Sequence, residues 1–330
     1  MTTRSYSNSV NLLLIPLSAT LATLLPLHLL LFSYVVLGPL HYLTEISWLA
    51  DRKFFSKRRF DWLWLTLPTL PVVFLHFLPG SRFNGLIQIT LFATIFLGAV
   101  FAFSSSVKTR LATLLASVTI GYCLWLFDSQ SGLAVTAASP SLEAVSATPS
   151  LGWFSPVVAL IPTFIHVYVF TGVFILLGVK RAPSLSGVFS ATLYLLTPWV
   201  LLYEVSTSKE YGVSKFIAEA TFPFVSLLTP FASSLGLALN EDGVLALGRV
   251  LAFAYTYHYL NWFSKTEVIK WHLIPKTRWY VIGLLYVASL SLYAINYKVG
   301  FGVLLGLSLA HVVLEFPLNA RSVRELMTSR

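Results

Sequence analysis

The sequence predicts an all-α, polytopic integral-membrane bundle of about nine to ten transmembrane helices. Three observations carry that expectation. Of 330 residues, 56% are hydrophobic and only 11% are charged, against about 25% charged in an ordinary soluble domain. The apolar residues come in blocks near the length of about 20 residues that spans a bilayer. The Lys and Arg residues collect in short segments between those blocks, as membrane topology requires. Open strands cannot cross lipid, so each block is expected to be a helix.

The blocks run roughly over 10–49, 62–79, 84–105, 109–127, 153–178, 184–203, 213–239, 243–263, 279–296 and 299–318. The first is twice the needed length and contains Pro16 and Pro26. It is expected to hold an interfacial or broken helix over 8–18 and a span over 20–48, with two short spans as the alternative. Arg52, Lys53, Lys57, Arg58 and Arg59 place segment 51–61 in the cytoplasm, and Lys108/Arg110 and Lys180/Arg181 agree with that side. Segment 128–152 has no Lys or Arg and reads as an extracytoplasmic loop. Lys265, Lys270, Lys276 and Arg278 mark 264–278 as a second cytoplasmic basic loop, and Arg321, Arg324 and Arg330 mark a cytoplasmic C-terminus. These assignments alternate consistently if block 213–239, interrupted by Pro223 and Pro230, is broken or re-entrant. The chain is otherwise a single integral-membrane domain, 1–330, with the N-terminus outside. Trp48, Trp62, Trp64, Trp125, Trp153 and Trp279 fall near block ends, where interfacial aromatics belong.

The composition excludes several functions. The net charge of +9 resides in loops that set orientation and meet lipid headgroups, and no aromatic-basic array for nucleic acid is present. The single cysteine, Cys123, excludes an internal disulfide and thiolate zinc or iron–sulfur sites. Only Arg4 precedes the apolar run from Val10, and no small-x-small exit follows, so the N-terminus is expected to be retained. Neither a phosphate-binding loop, a serine-hydrolase elbow, an H-E-x-x-H pair nor a D-D-x-x-D motif occurs.

Ionisable groups inside spans are costly and are functional candidates by default. They are few. His41 and Glu45 lie toward the end of the first span, in "GPLHYLTE", and His311 and Glu315 toward the end of the last, in "LAHVVLEFPLN". In each pair the four-residue spacing puts imidazole and carboxylate on one helix face. His258 lies in "YTYHYLNWF", with Asn261 three residues on. The charge-derived orientation brings His41, His258 and His311 to one layer near the inner side, and Glu45 and Glu315 with them. Polar ligands from several helices at one depth make the pattern of a metal site in a bundle core. Imidazole with carboxylate and no thiolate suits non-haem iron, with zinc, manganese or copper as alternatives. His166, mid-span in "FIHVYVF", is a deeper ligand, a proton relay or a packing contact. His272, in a basic loop, is an interfacial residue or a further ligand. His28 and His76 read as packing, Glu204 and Glu210 as solvated, and Lys265 as pairing with Glu267 or a headgroup. Asn261 and Asn319 either orient ligands and substrate or bond backbone.

Those three segments faintly resemble the bacterial membrane β-carotene oxygenases of the Brp/Blh type, differing where that family has a His-Gly-x-x-Asp-like stretch and this chain has His41–Glu45. The resemblance implies a polytopic fold, iron held by histidines from several spans, and oxidation of a carotenoid-like molecule. The expected function is therefore an integral-membrane metalloenzyme, an iron oxygenase or oxidase acting on a lipid-soluble substrate, in a bacterial inner membrane. His41, His258 and His311 would be the catalytic centre. Glu45, Glu315, His166 and His272 complete the candidate ligands. The partners are membrane lipids and a hydrophobic small molecule. A proton-coupled transporter and a lipid-modifying transferase are the alternatives.

Overall fold

The computed structural model describes residues 3–54, 60–78, 82–104, 106–131, 154–203, 213–234 and 241–328. Every regular element among them is a helix. In chain order these are α1 (Thr3–Leu24), α2 (Pro26–Phe32), a first π-helical segment (Ser33–Leu37), α3 (Gly38–Asp51), α4 (Asp61–Thr66), α5 (Thr69–His76), α6 (Arg82–Phe103) and α7 (Val107–Ser131). Then follow α8 (Phe154–Phe164), a second π-helical segment (Ile165–Phe170), α9 (Thr171–Arg181), α10 (Leu185–Tyr203), α11 (Lys215–Ser234), α12 (Glu241–Ser264), α13 (Thr266–Ile269), α14 (Lys276–Ile295) and α15 (Tyr297–Met327).

Seven helical runs among the described residues are long and apolar enough to cross a membrane: Pro26–Asp51, Gly85–Phe103, Val107–Asp128, Val157–Arg181, Leu185–Tyr203, Lys276–Ile295 and Tyr297–Met327. A multi-pass integral membrane protein follows. The large apolar side chains left exposed, Phe189, Trp199, Leu284 and Leu115 among them, are what a lipid-facing surface requires.

The breaks fall elsewhere than the sequence reading placed them. The first block divides at Leu25, whose φ of −138° and ψ of 54° end α1 just before Pro26. A proline restricts the residue before it and is pre-organised to start a helix, which explains the position. Block 62–79 is the interrupted one, as α4 and α5 with Leu67 and Pro68 between them. Block 213–239 is one unbroken helix over Lys215–Ser234. Much of the predicted extracytoplasmic loop, 132–152, and residues 55–59 of the first basic loop lie outside the described residues; 128–131 continue α7.

The chain forms two compact units, 1–37 with 128–268 and 38–127 with 269–330. In the first, α12 is the central element. Every residue from Ala246 to Tyr259 is buried, and α12 packs against α1, α2, α10 and α11. A helix enclosed all round need not meet lipid. That is why α12 can carry Arg249, Thr256, His258 and Asn261, and why its hydropathy falls below that of the seven spans. Ser33 and Thr256 hydroxyls pair at 2.7 Å and fix α12 against the first π-helical segment.

In the second unit, Leu49, Leu65, Phe101, Val313 and Leu314 form a buried core between α3, α4, α6 and α15. Glycines let α15 approach its neighbours. A Cβ on Gly302 would sit 2.7 Å from the Phe77 ring, and one on Gly306 would collide with Val73. Small residues at such crossings are how membrane helices pack closely. A buried ion pair joins α4 to α7. Arg110 Nη1 donates to Asp61 Oδ1 at 2.9 Å, and Arg110 Nε and Nη2 donate to the Ser104 carbonyl at 3.3 Å. The guanidinium lies 3.9 Å from the centre of the Phe101 ring. Arg110 thus does more than mark topology, because its charge is fully paired inside the fold.

Candidate metal centre

Four buried histidines, His41, His166, His258 and His311, are ligands that could hold a metal ion. Two lie in each unit.

In the second unit, α3 and α15 pack together and bring His41 and His311 into edge-to-face contact, with ring centroids 5.3 Å apart. Tyr42 stacks on His311 at 4.4 Å. His41 Nε2 lies 2.9 Å from Glu45 Oε2, one turn along α3, as the sequence spacing predicts. His311 Nδ1 lies 2.6 Å from the Ser308 carbonyl, which can only accept. His311 therefore has its proton on Nδ1 and offers Nε2. The Glu45 carboxyl lies beside that of Glu315, and Asn319 Nδ2 donates to Glu315 Oε2 at 3.0 Å. The H-x-x-x-E pairs of the first and last spans thus meet directly, and Glu45, Glu315 and Asn319 surround the imidazoles as hydrogen-bonding partners. From His41 to Arg52 and from His311 to Arg321 there is about 15 Å of helix, near half of a bilayer core.

In the first unit, His166 and His258 meet edge to face with ring centroids 4.9 Å apart. His258 Nδ1 lies 2.7 Å from Thr171 Oγ1. The Thr171 hydroxyl also lies 2.9 Å from the Val167 carbonyl and donates to it. With its one proton committed there, Thr171 accepts from His258 Nδ1–H, and Nε2 is left as the ligand atom. His258 and His311 thus each have an orienting partner that fixes which nitrogen carries the lone pair.

The second π-helical segment explains how His166 and Thr171 serve the same partner. Residues five apart in an α-helix point about 140° away from each other. The i→i+5 bonding of a π turn brings them nearly into line. His166 and Thr171 both reach His258 because Ile165–Phe170 is π-helical. No α-helical wheel would have paired them. Thr171 and Ser308 carry no motif, and the sequence reading did not single them out.

His272 stands apart. It is half-buried beside Trp271, its carbonyl accepts from Trp279 Nε1 at 3.2 Å, and it is not one of the four buried histidines. His76 packs on Phe77 and Phe301.

The donor set fits a metal in its chemistry: buried imidazoles, two of them oriented by hydrogen bonds, with buried carboxyls beside His41 and His311 and no thiolate. The chain matches no known family model, no curated protein and no solved structure, so the reading of these residues rests on their geometry.

Proposed function

We propose that the protein is an integral-membrane metalloenzyme whose buried histidines are ligands of non-haem iron. It oxidises a lipid-soluble molecule of carotenoid, isoprenoid or other lipid type, with dioxygen as the oxidant. The observation that carries this reading is the orientation of the imidazoles. His258 by Thr171 and His311 by Ser308 are each turned to present one defined nitrogen. Imidazoles that only filled space would not need such orienting bonds, and metal-ligating histidines almost always have them.

Iron bound there would supply the activation of dioxygen. The residues of the chain supply the rest. Glu45 and Glu315 hold the His41 side of the centre, Thr171 and Ser308 lock ring rotation, and Tyr42 covers the face of His311. A substrate dissolved in the membrane reaches such a centre without crossing water, which favours a hydrophobic molecule. The basic segments 51–61 and 264–278 and the C-terminus lie in the cytoplasm, the membrane being a bacterial inner membrane.

Elemental analysis of the purified protein is the test. Stoichiometric iron is expected in the parent and its loss in His258→Ala and in His311→Ala. Stoichiometric zinc, manganese or copper would move the reading to another metal. Absence of any metal from a folded preparation grown with iron would overturn it.

A further inference from the structure

Tyr257, Asn261 and Lys265 follow one another at four-residue spacing on α12 and the turn after it, so they form a single stripe on one helix face. Tyr257 and Asn261 are buried, at 0% and 5% exposure. Among the described residues, neither the Tyr257 hydroxyl nor Asn261 Oδ1 has a hydrogen-bond partner. The Ser264 hydroxyl is close by but donates to the backbone carbonyl of Asn261, not to its side chain. His258 is next to Tyr257 in sequence, and Asn261 lies one turn beyond it toward Lys265.

A buried acceptor without a donor costs about 1–3 kcal/mol. Two such groups in line, with an amine at the end, are not explained by packing. The rise between successive members is about 6 Å, the span of two hydrogen bonds through one water. Buried waters occupy sites of this kind, where two or more polar groups converge. Lys265 is half-buried where the stripe leaves the helix, and burial pushes its amine down to about 8.

We infer that the Tyr257–Asn261–Lys265 stripe is a water-filled route from the Lys265 end of α12 to His258. It admits water and protons to the buried histidines from one side of the membrane. The route depends on the proposed metalloenzyme only for its purpose, since its hydration can be measured without any metal. Lys265 stands at its mouth, Asn261 midway, and Tyr257 with His258 at its end.

Two measurements test it. Hydroxyl-radical footprinting of the wild-type chain in lipid vesicles should oxidise Tyr257. Tyr259, buried on another face at 1% exposure, should stay at least tenfold less modified. In a Cys123→Ala background, which removes the single cysteine, Asn261→Cys and Lys265→Cys should react with a small, charged, membrane-impermeant thiosulfonate added from the side of the basic loop. Tyr259→Cys, within about 3 Å of Asn261 in depth and on another face, should react at least tenfold more slowly. Equal protection of Tyr257 and Tyr259, or a folded Asn261→Cys as inert as Tyr259→Cys, would overturn the route. Reaction of Asn261→Cys from the opposite side only would overturn it as well. Should Asn261→Cys not accumulate, the footprint of the wild-type chain decides alone. A metal-free protein that still oxidises Tyr257 would refute the metalloenzyme and leave the route standing.

Discussion

Thr171→Val isolates the orienting bond on His258 at nearly constant volume. The parent hydroxyl makes two contacts, 2.9 Å to the Val167 carbonyl and 2.7 Å to His258 Nδ1. The first is a bond back along its own helical run. In the second, the hydroxyl accepts from His258 Nδ1–H. Valine removes that acceptor, a loss of about 1–3 kcal/mol where the N–H is left unpaired. Losing an orienting partner of this kind typically weakens metal affinity about 10- to 100-fold, or about 1.4–2.7 kcal/mol. The two ranges agree, so the predicted effect is a rise in the iron Kd of one to two decades. Competition against a chromogenic chelator in detergent reads it directly. Thr171→Ser keeps the hydroxyl and should stay within about threefold of the parent. The tautomer argument is wrong if Thr171→Val binds iron as tightly as the parent, or if the serine variant weakens binding as much as valine does.

Two further outcomes follow from the second unit and from the mouth of the proposed route. Asp61→Asn removes one partner of a buried pair and should destabilise the protein by about 3–5 kcal/mol in detergent thermal unfolding. Asp61→Asn/Arg110→Met, which removes both charges, should recover most of the loss; a single variant as stable as the parent would show that Ser104 and Phe101 suffice for Arg110. Lys265 should acylate with a rate midpoint about pH 8, where an unperturbed lysine stands near 10.4. Because burial penalises its charged form, the contribution of Lys265 to stability is least below pH 8. It improves as pH rises from there to about 10.4, where the unfolded chain also loses its proton. A midpoint above pH 10 would contradict that burial.

The parts of the fold legible in the sequence are those with a simple period or a strong composition. Long apolar runs identified most of the helices. The two H-x-x-x-E pairs, at helical spacing on the first and last spans, marked groups that the structure brings into contact. Other features were hidden because the signal they leave is local and ambiguous. Proline does not announce whether it kinks, starts or ends a helix. Pro26 begins one, Pro68 lies in the gap between α4 and α5, and Pro16 sits inside α1. Arg110 read as a topology marker because a cation beside a membrane block normally is one, and its partner Asp61 lies 49 positions away. His166, mid-span, reads as a deeper ligand, a proton relay or a packing contact because the sequence does not reveal the π turn that sets its direction. Thr171 is one threonine among many until its neighbour across the fold is known.

The second π-helical segment has a consequence for comparing this chain with any relative. A π turn holds one more residue than the α turn it replaces, so it is what a one-residue insertion leaves in a helix whose two ends are pinned by packing. A relative whose alignment needs a single-residue gap within Ile165–Phe170 would not differ by a harmless length change. Its equivalents of His166 and Thr171 would face apart, and one of the two would no longer address the histidine on the central helix. Gap placement in that hexapeptide would thus separate relatives that keep the site from those that keep only the fold.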